Sequence, residues 1–321
     1  MENAHRKSST ARKSASLMAG MYSVLSRVSR QLPRSRTKVR LGKLLARILP
    51  PDGNFTVRLR DGTIVTLDPR SRTEGTPFWD GFYDDQTIGV LAACLAFGPV
   101  VYDVGANVGL VALPVARHAA KKNGGQVIAF EPVPSNASRI NEGIKLNGLE
   151  HVLRLFPVAL GNSVGTIEMA VESKHGASTG NALIQQSPST ETGYRHIAVG
   201  ITRLDDIRKS ENIPAPAVIK LDVEGAEMLV ILGAEETIRQ HRPVILGEFH
   251  AGLMPKYGYT FLDVATRAKS WNYRIYKFIR DYRLDLITDP KIGMGDALLV
   301  PEEKAMQLEE LFRNLDAKSP T

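Results

Sequence analysis

Val100 to Leu110, VVYDVGANVGL, is the stretch whose reading decides the fold. Val100, Val101 and Tyr102 form the β-branched and aromatic run of a buried strand. Asp103 stands where that strand is expected to end. Gly105 and Gly109 follow, and LVALPVARHAA then has the apolar spacing of a helix. Strand, glycine-rich turn and helix are the parts of a nucleotide-binding βαβ unit. The spacing is Asp-x-Gly-x-x-x-Gly rather than the Gly-x-Gly-x-x-Gly of dinucleotide sites, and it begins with a carboxylate. A carboxylate repels a pyrophosphate but suits a cation such as the ammonium and sulfonium of S-adenosylmethionine. Glu131 lies 22 residues beyond Gly109, at the end of a second strand-like run, VIAFEP. An acid there can accept the two ribose hydroxyls of an adenosine.

Composition bounds the rest. The chain has 321 residues with 43% hydrophobic and 23% charged side chains, ordinary for a chain that buries a core. Its one cysteine, Cys94, excludes an internal disulfide and a cysteine-based zinc cluster, and lies in the apolar run IGVLAACLAF, as a core thiol would. The net charge of +7 is an average of two unlike parts. Residues 1–50 hold 12 Lys and Arg and one acid, leaving the remainder at −4. Nucleic-acid binding by the body is therefore not expected.

Three segments are expected: a basic, partly disordered N-terminal arm (1–50), a body with an N-terminal hairpin (51–301), and a C-terminal helix and tail (302–321). Within the arm, Met1 to about Ser16 reads as disordered. Leu17 to Leu49 reads as short basic amphipathic helices. Such an arm can pack on the body, touch a membrane surface peripherally, or serve as an organelle transit segment. No apolar run reaches the roughly 20 residues of a spanning helix, and a cytoplasmic location is the default expectation.

NFTVRLRDGTIVTLD (54–68) alternates about Asp61-Gly62 as a hairpin. Phe78, Trp79, Phe82 and Tyr83 follow in an expected loop and could line a site or pack under the hairpin. Thr87 to Phe97 reads as a helix. After Glu131, SNASRINEGIKLNG reads as a helix capped by Ser135 or Asn136 and ended by Gly148. LRLFPVAL is a third strand and GTIEMAV extends the β region. The polar segment from Glu172 to His196 is the candidate substrate loop.

AVIKLDVEGAE (217–227) is the second informative stretch: a strand ending at Asp222, a turn with Glu224 and Gly225, then a helix, MLVILGAEETIRQ. RPVILGEFH is a fifth strand ending near Glu248 and His250, and YRIYKFI and DALLVP close the sheet, the last pair antiparallel. Strands alternating with helices imply an α/β fold: a mainly parallel sheet covered on both faces. Ligands bind beyond the carboxyl ends of such strands, where Asp103, Glu131, Asp222, Glu248 and His250 are all expected.

These segments, together with VALGNSVGTIEM and the Leu204-Asp205-Asp206 segment, resemble the FkbM-type S-adenosylmethionine-dependent methyltransferases over about residues 78–300. The resemblance implies a Rossmann-like methyltransferase fold with seven strands. It also implies O-methylation of a hydroxyl on a sugar, other glycan or secondary metabolite. Asn162 departs from the acid common after Ala-Leu-Gly in that family. By motif, Asp103, Gly105, Asn107 and Gly109 form the cofactor turn, Glu131 holds the ribose, and Asp222 adjoins them. His250 is the candidate base, with Asp222 as the alternative. Glu224 and Glu248 complete the catalytic set. Asp222, Glu224 and Glu248 could instead hold a divalent ion, but no metal is expected. A nicotinamide-dependent oxidoreductase and a non-catalytic protein that binds through its basic arm are the alternatives from other classes.

Overall fold

The strand run around Val100 lies at the centre of the larger of three sheets. The computed structural model describes residues 2–172, 183–184, 194–279, 282–289 and 295–316. In chain order the strands are β1 (Phe55–Arg58), β2 (Ile64–Leu67), β3 (Val100–Val104), β4 (Gln126–Phe130) and β5 (Leu153–Phe156). β6 (Ala159–Leu160), β7 (Gly165–Glu172), β8 (Leu183–Ile184) and β9 (Tyr194–Thr202) form a sheet of their own. β10 (Val218–Leu221), β11 (Val244–Glu248), β12 (Tyr273–Ile279), β13 (Arg283–Leu286) and β14 (Asp296–Pro301) return to the first.

The main sheet runs β13-β12-β14-β11-β10-β3-β4-β5. Its middle is parallel, and β14 lies antiparallel to both β11 and β12. Without β13 the sheet has the seven strands expected. The eighth strand, RLDL, falls in what reads as a loop because it is short, and its exposed face gives no apolar period. The expected third strand is divided: Pro157, which has no N–H for a ladder, separates β5 from β6, and β6 joins β9 in the second sheet. The candidate substrate loop lies almost wholly outside the described residues.

Side-chain alternation divides the core. Val101, Val127, Val218 and Leu246 belong to the core on the face covered by helices Asp85–Cys94, Ala112–Ala119 and Pro134–Asn147. Tyr102, Ile128, Ile219 and Ile245 pack on the other face with helices Glu227–Gly233, Glu235–His241 and Phe261–Ser270. The helix expected after the second motif is thus two, broken at Ala234. Pro134–Asn147 ends at Gly148 in the left-handed region (φ 64°), as expected, but neither Ser135 nor Asn136 caps its start. Val133 is the N-cap, and Pro134 opens the helix. Cys94 is fully buried.

The hairpin forms as β1 and β2, with Phe55 opposite Leu67. It is tied to the helix below by Asn147, whose amide exchanges hydrogen bonds with the backbone of Ile64. Arg139 also pairs with the buried Glu74 and donates to the Thr66 carbonyl.

Two features of the N-terminal region differ from expectation. The backbone from Glu2 runs as one helix to Gln31, where disorder was expected to about Ser16; no proline or glycine interrupts it before Gly20. Phe78 and Trp79 are not in an exposed loop. They lie on a short helix, Gly75–Asp80, and are buried between the arm and the hairpin: Phe78 packs on Phe55 of β1 at 5.5 Å, the packing role under the hairpin that was one of the two expectations. The ring of Tyr22 sits 5.7 Å from Trp79 and 6.0 Å from Phe55, and its hydroxyl donates to the Leu49 carbonyl at 2.8 Å. The second arm helix, Arg36–Ile48, passes so close to Trp79 that a Cβ at Gly42 would meet the indole at 2.4 Å. Lys38 and Arg34 pair with Asp80. The arm is therefore packed on the body.

Tyr22→Ala should cost about 3–4 kcal/mol in urea unfolding, the usual loss for a buried aromatic. Tyr22→Phe, which removes one hydrogen bond, should cost about 1 kcal/mol. Losses near zero for both would mean that the arm does not dock as described.

Candidate active site

The chain leaves β3 toward β4 on one side and returns to β10 on the other, so a crevice opens at the carboxyl ends of β3 and β10. Gly105 turns the backbone there with φ 80°, and a Cβ on it would lie 1.9 Å from the carbonyl oxygen of Asp222. Only glycine permits that approach. Asn107 follows in the left-handed region (φ 52°), which asparagine tolerates. Both line the cavity.

Glu131, at the end of β4, also lines the cavity and is 5% exposed. One oxygen accepts the N–H of Asn107 and the other that of Val133, each at 2.9 Å; Asn136 donates at 3.3 Å. Asn136, expected as a cap, thus steadies this carboxylate. Burial pushes the Glu131 pKa up to about 7.

The turn after β10 supplies Asp222, Val223 and Glu224 to the cavity wall. Glu224 has φ 55°, uncommon for a residue with a long side chain. The buried Glu227 holds that turn by accepting the N–H groups of Val223 and Gly225. Glu248, at the end of β11, completes the wall and contacts His250 Nε2 at 2.8 Å. Burial and the nearby Asp222 push the Glu248 pKa up to about 7, and the same two causes raise that of Glu224.

Three expected site residues stand elsewhere. Asp103 does not face the crevice: it lies within β3, 1% exposed, with its Oδ1 3.1 Å from Lys220 Nζ. It stands one residue before the end of β3, on the face that Val101 also takes, and so sits deeper than the residues that follow the strand ends. Gly109 (φ 83°) packs against Leu113 and Ile140, where it shapes the helix start rather than the cavity. His250 reaches the site through Glu248 and is not itself part of the wall. Asn162 is exposed.

Lys220 is the residue the sequence reading missed. It is in register with Asp103 on the adjacent parallel strand, and its Nζ also lies 3.3 Å from Asp222 Oδ2. Its signal was a lone charge inside the apolar run AVIKL. The two carboxylates raise its pKa despite burial, so it is a cation. Tyr83, one of the four aromatics noted in sequence, also lines the cavity, and Leu160 and Met169 of the second sheet, with Val158 just before it, add an apolar wall.

Among the described residues lining the cavity, four are carboxylates (Glu131, Asp222, Glu224 and Glu248) and none is Lys, Arg or His. This donor set fits a ligand carrying positive charge. The second oxygen of Asp103, buried without a hydrogen-bond partner, adds negative charge behind the turn. Among the described residues no three His, Cys, Asp or Glu side chains converge as a metal-ligand set.

The sheet order, with β14 and the edge strand β13 reversed against the parallel middle, is that of the Rossmann-like methyltransferase fold. The family profile described as the methyltransferase FkbM domain matches residues 103–275, more than half of the chain, and the protein belongs to that family. S-adenosylmethionine is the cofactor of this class. The chain is 30% identical over 157 residues to the hexuronic acid methyltransferase AglP of Haloferax volcanii, covering 49% of this chain and 58% of that protein. It is 30% identical over 153 residues to the 2-O-methyltransferase NoeI of Sinorhizobium fredii, covering 45% and 60%. The match thus spans about 60% of the length of these relatives. A solved structure, the methyltransferase FkbM of Methylobacillus flagellatus, aligns with a TM-score of 0.42 at 16% identity, covering 63% of this chain and 44% of that one.

Lys220→Met should destabilise the fold by about 3–5 kcal/mol, because Asp103 would keep a buried charge without its cation. Adding Asp103→Asn should recover much of that loss. Denaturant unfolding of the two single variants and the double variant measures the coupling. Simple addition of the two losses would show that the pair does not act as one unit.

Proposed function

We propose that this protein transfers the methyl group of S-adenosylmethionine to a hydroxyl oxygen of a sugar or a related glycan. The observation that carries this reading is the cavity wall of four carboxylates without a cation. Such a wall attracts a sulfonium and an ammonium and repels a pyrophosphate, which disfavours a nicotinamide dinucleotide. The names of the two relatives, one a hexuronic acid methyltransferase and the other a 2-O-methyltransferase, support a sugar hydroxyl as acceptor.

In this reading Gly105 lets the cofactor approach the backbone, and Glu131 accepts the ribose hydroxyls. Phe130, Val158 and Leu160 offer an apolar surface for the adenine. Asp222 and Glu224 face the positive end. S-adenosylmethionine supplies an electrophilic methyl group on a leaving sulfur. The acceptor hydroxyl must lose its proton as its oxygen attacks. Glu248 is our candidate to take that proton, since burial holds its pKa above the ordinary carboxylate value, at about 7 in the free protein. His250 orients Glu248 and can share the proton through their contact. Alignment of the acceptor oxygen against the methyl group supplies much of the acceleration.

Calorimetric titration with S-adenosylmethionine, S-adenosylhomocysteine and NAD tests the reading. The two adenosyl ligands should bind and NAD should not, and Glu131→Gln should weaken binding at least about tenfold, since it loses charge-assisted hydrogen bonds. Binding of NAD alone would replace this reading with the oxidoreductase. Absence of binding by all three in a folded sample would favour a non-catalytic protein.

A proton count checks the electrostatics separately. A cation beside Glu248 favours the ionised form and lowers its pKa from about 7, so the complex holds fewer protons than the free protein. Binding of S-adenosylmethionine at pH 7 should release protons, seen as a buffer-dependent enthalpy, and the affinity should rise with pH through about 7. Glu248→Gln should reduce the release. Proton uptake instead would contradict the assignment of the positive end to this wall.

A further inference from the structure

The arm helices have more faces than docking on the body requires. Along Glu2–Gln31, Tyr22 and Ser26 are buried against the body. A second stripe, Leu17, Val24, Leu25, Val28 and Leu32, repeats at helical spacing and is 41–77% exposed. Arg36–Ile48 repeats the arrangement: Gly42 and Ala46 face inward, while Leu41, Leu44 and Ile48 are exposed at i, i+3 and i+7.

The charge beside these stripes is one-sided. Residues 17–49 hold eight Lys and Arg and no acid. Four of the eight already have partners on the body or within the arm. Arg30 donates to the Phe78 carbonyl, Arg34 and Lys38 pair with Asp80, and Lys43 bonds Thr76. The other four, Arg27, Arg36, Arg40 and Arg47, make no hydrogen bond or ion pair among the described residues.

We propose that these two helices form a docking surface for an anionic lipid bilayer. Exposed apolar side chains enter the boundary between headgroups and acyl chains, while the four free arginines meet lipid phosphates. Arginine suits this position because its apolar stem lies along the surface and its guanidinium reaches the headgroups. Charge complementarity selects this occupant. A symmetric second copy would set two acid-free, strongly basic arms against each other. Lipid contact would be peripheral, since no helix is long and apolar enough to cross a membrane among the described residues. The body contacts of Tyr22 and Gly42 hold the surface in place, so its attachment does not depend on lipid. The proposal is independent of methyl transfer.

Sedimentation with vesicles of phosphatidylcholine, with and without phosphatidylglycerol, tests it on the full chain. The protein should sediment with the phosphatidylglycerol vesicles alone, and less so as salt is raised. Each substitution in the series Arg27→Gln, Arg36→Gln and Arg40→Gln should weaken partitioning about fivefold. Val24→Ser/Val28→Ser/Leu44→Ser should abolish it while the melting temperature stays unchanged. If the serine variant melts early, the arginine series, which alters no apolar contact, decides. Three results would overturn the proposal: no sedimentation with anionic vesicles, equal sedimentation of the variants and the parent chain, or self-association in place of vesicle binding that the serine variant removes.

Discussion

The pairing of Lys220 with Asp103 is the interaction on which the crevice depends. Two adjacent parallel strands each bury an ionisable side chain at the same register position. Either one alone would cost several kcal/mol in desolvation, and together they offset that cost. The pair fixes the ends of β3 and β10 side by side. That alignment lets Gly105 pass the Asp222 carbonyl closely and directs the two turns toward a shared space. The second contact of Lys220, to Asp222, carries the same constraint to the cavity wall. A buried ion pair is weak evidence for added stability, but it ties positions together: in the observed register Lys220 and Asp103 stand directly opposite each other.

This division explains what could be read from the sequence. Glu131, Asp222, Glu224 and Glu248 were legible because each follows an apolar strand, and an open α/β sheet gathers such ends at one edge. Asp103 follows the same apolar run, but it lies inside β3 rather than beyond its end, and Lys220 covers it. The pattern of residues tells where a strand stops only to within a residue or two. Lys220 was hidden for the complementary reason. Its partner is 117 residues away, and no local period announces a pair formed across strands. Gly109 shows the limit of motif reading: two glycines of one motif do different work, one at a ligand surface and one beneath a helix.

Local chemistry decided other positions. Gly148 ended its helix as expected because a left-handed C-cap is a local demand. Asn136 did not cap, since Pro134 already opens the helix and the asparagine amide has a carboxylate to meet. Phe78 and Trp79 looked exposed because their neighbours in sequence are polar. Their cover, Tyr22 and the Gly42 helix, comes from a segment that composition alone marked only as a basic arm.

The electrostatics of the crevice follow from the same arrangement. The nearest buried cation, Lys220, is engaged by Asp103 and Asp222, and Glu131, Glu224 and Glu248 line the wall without one. Burial raises the pKa of all three, and to about 7 for Glu131 and Glu248, so near neutral pH these two hold protons that isolated carboxylates would release. A positively charged ligand restores ionisation as it enters, and each carboxylate that ionises strengthens the attraction. Neutral analogues of similar shape gain no such term, and anionic ones lose by it. The wall therefore discriminates by charge before it discriminates by shape. In the methyl-transfer reading proposed above, loss of the positive charge on sulfur with the methyl group would weaken the hold of this wall on the product, so the charge that favours binding would also favour release.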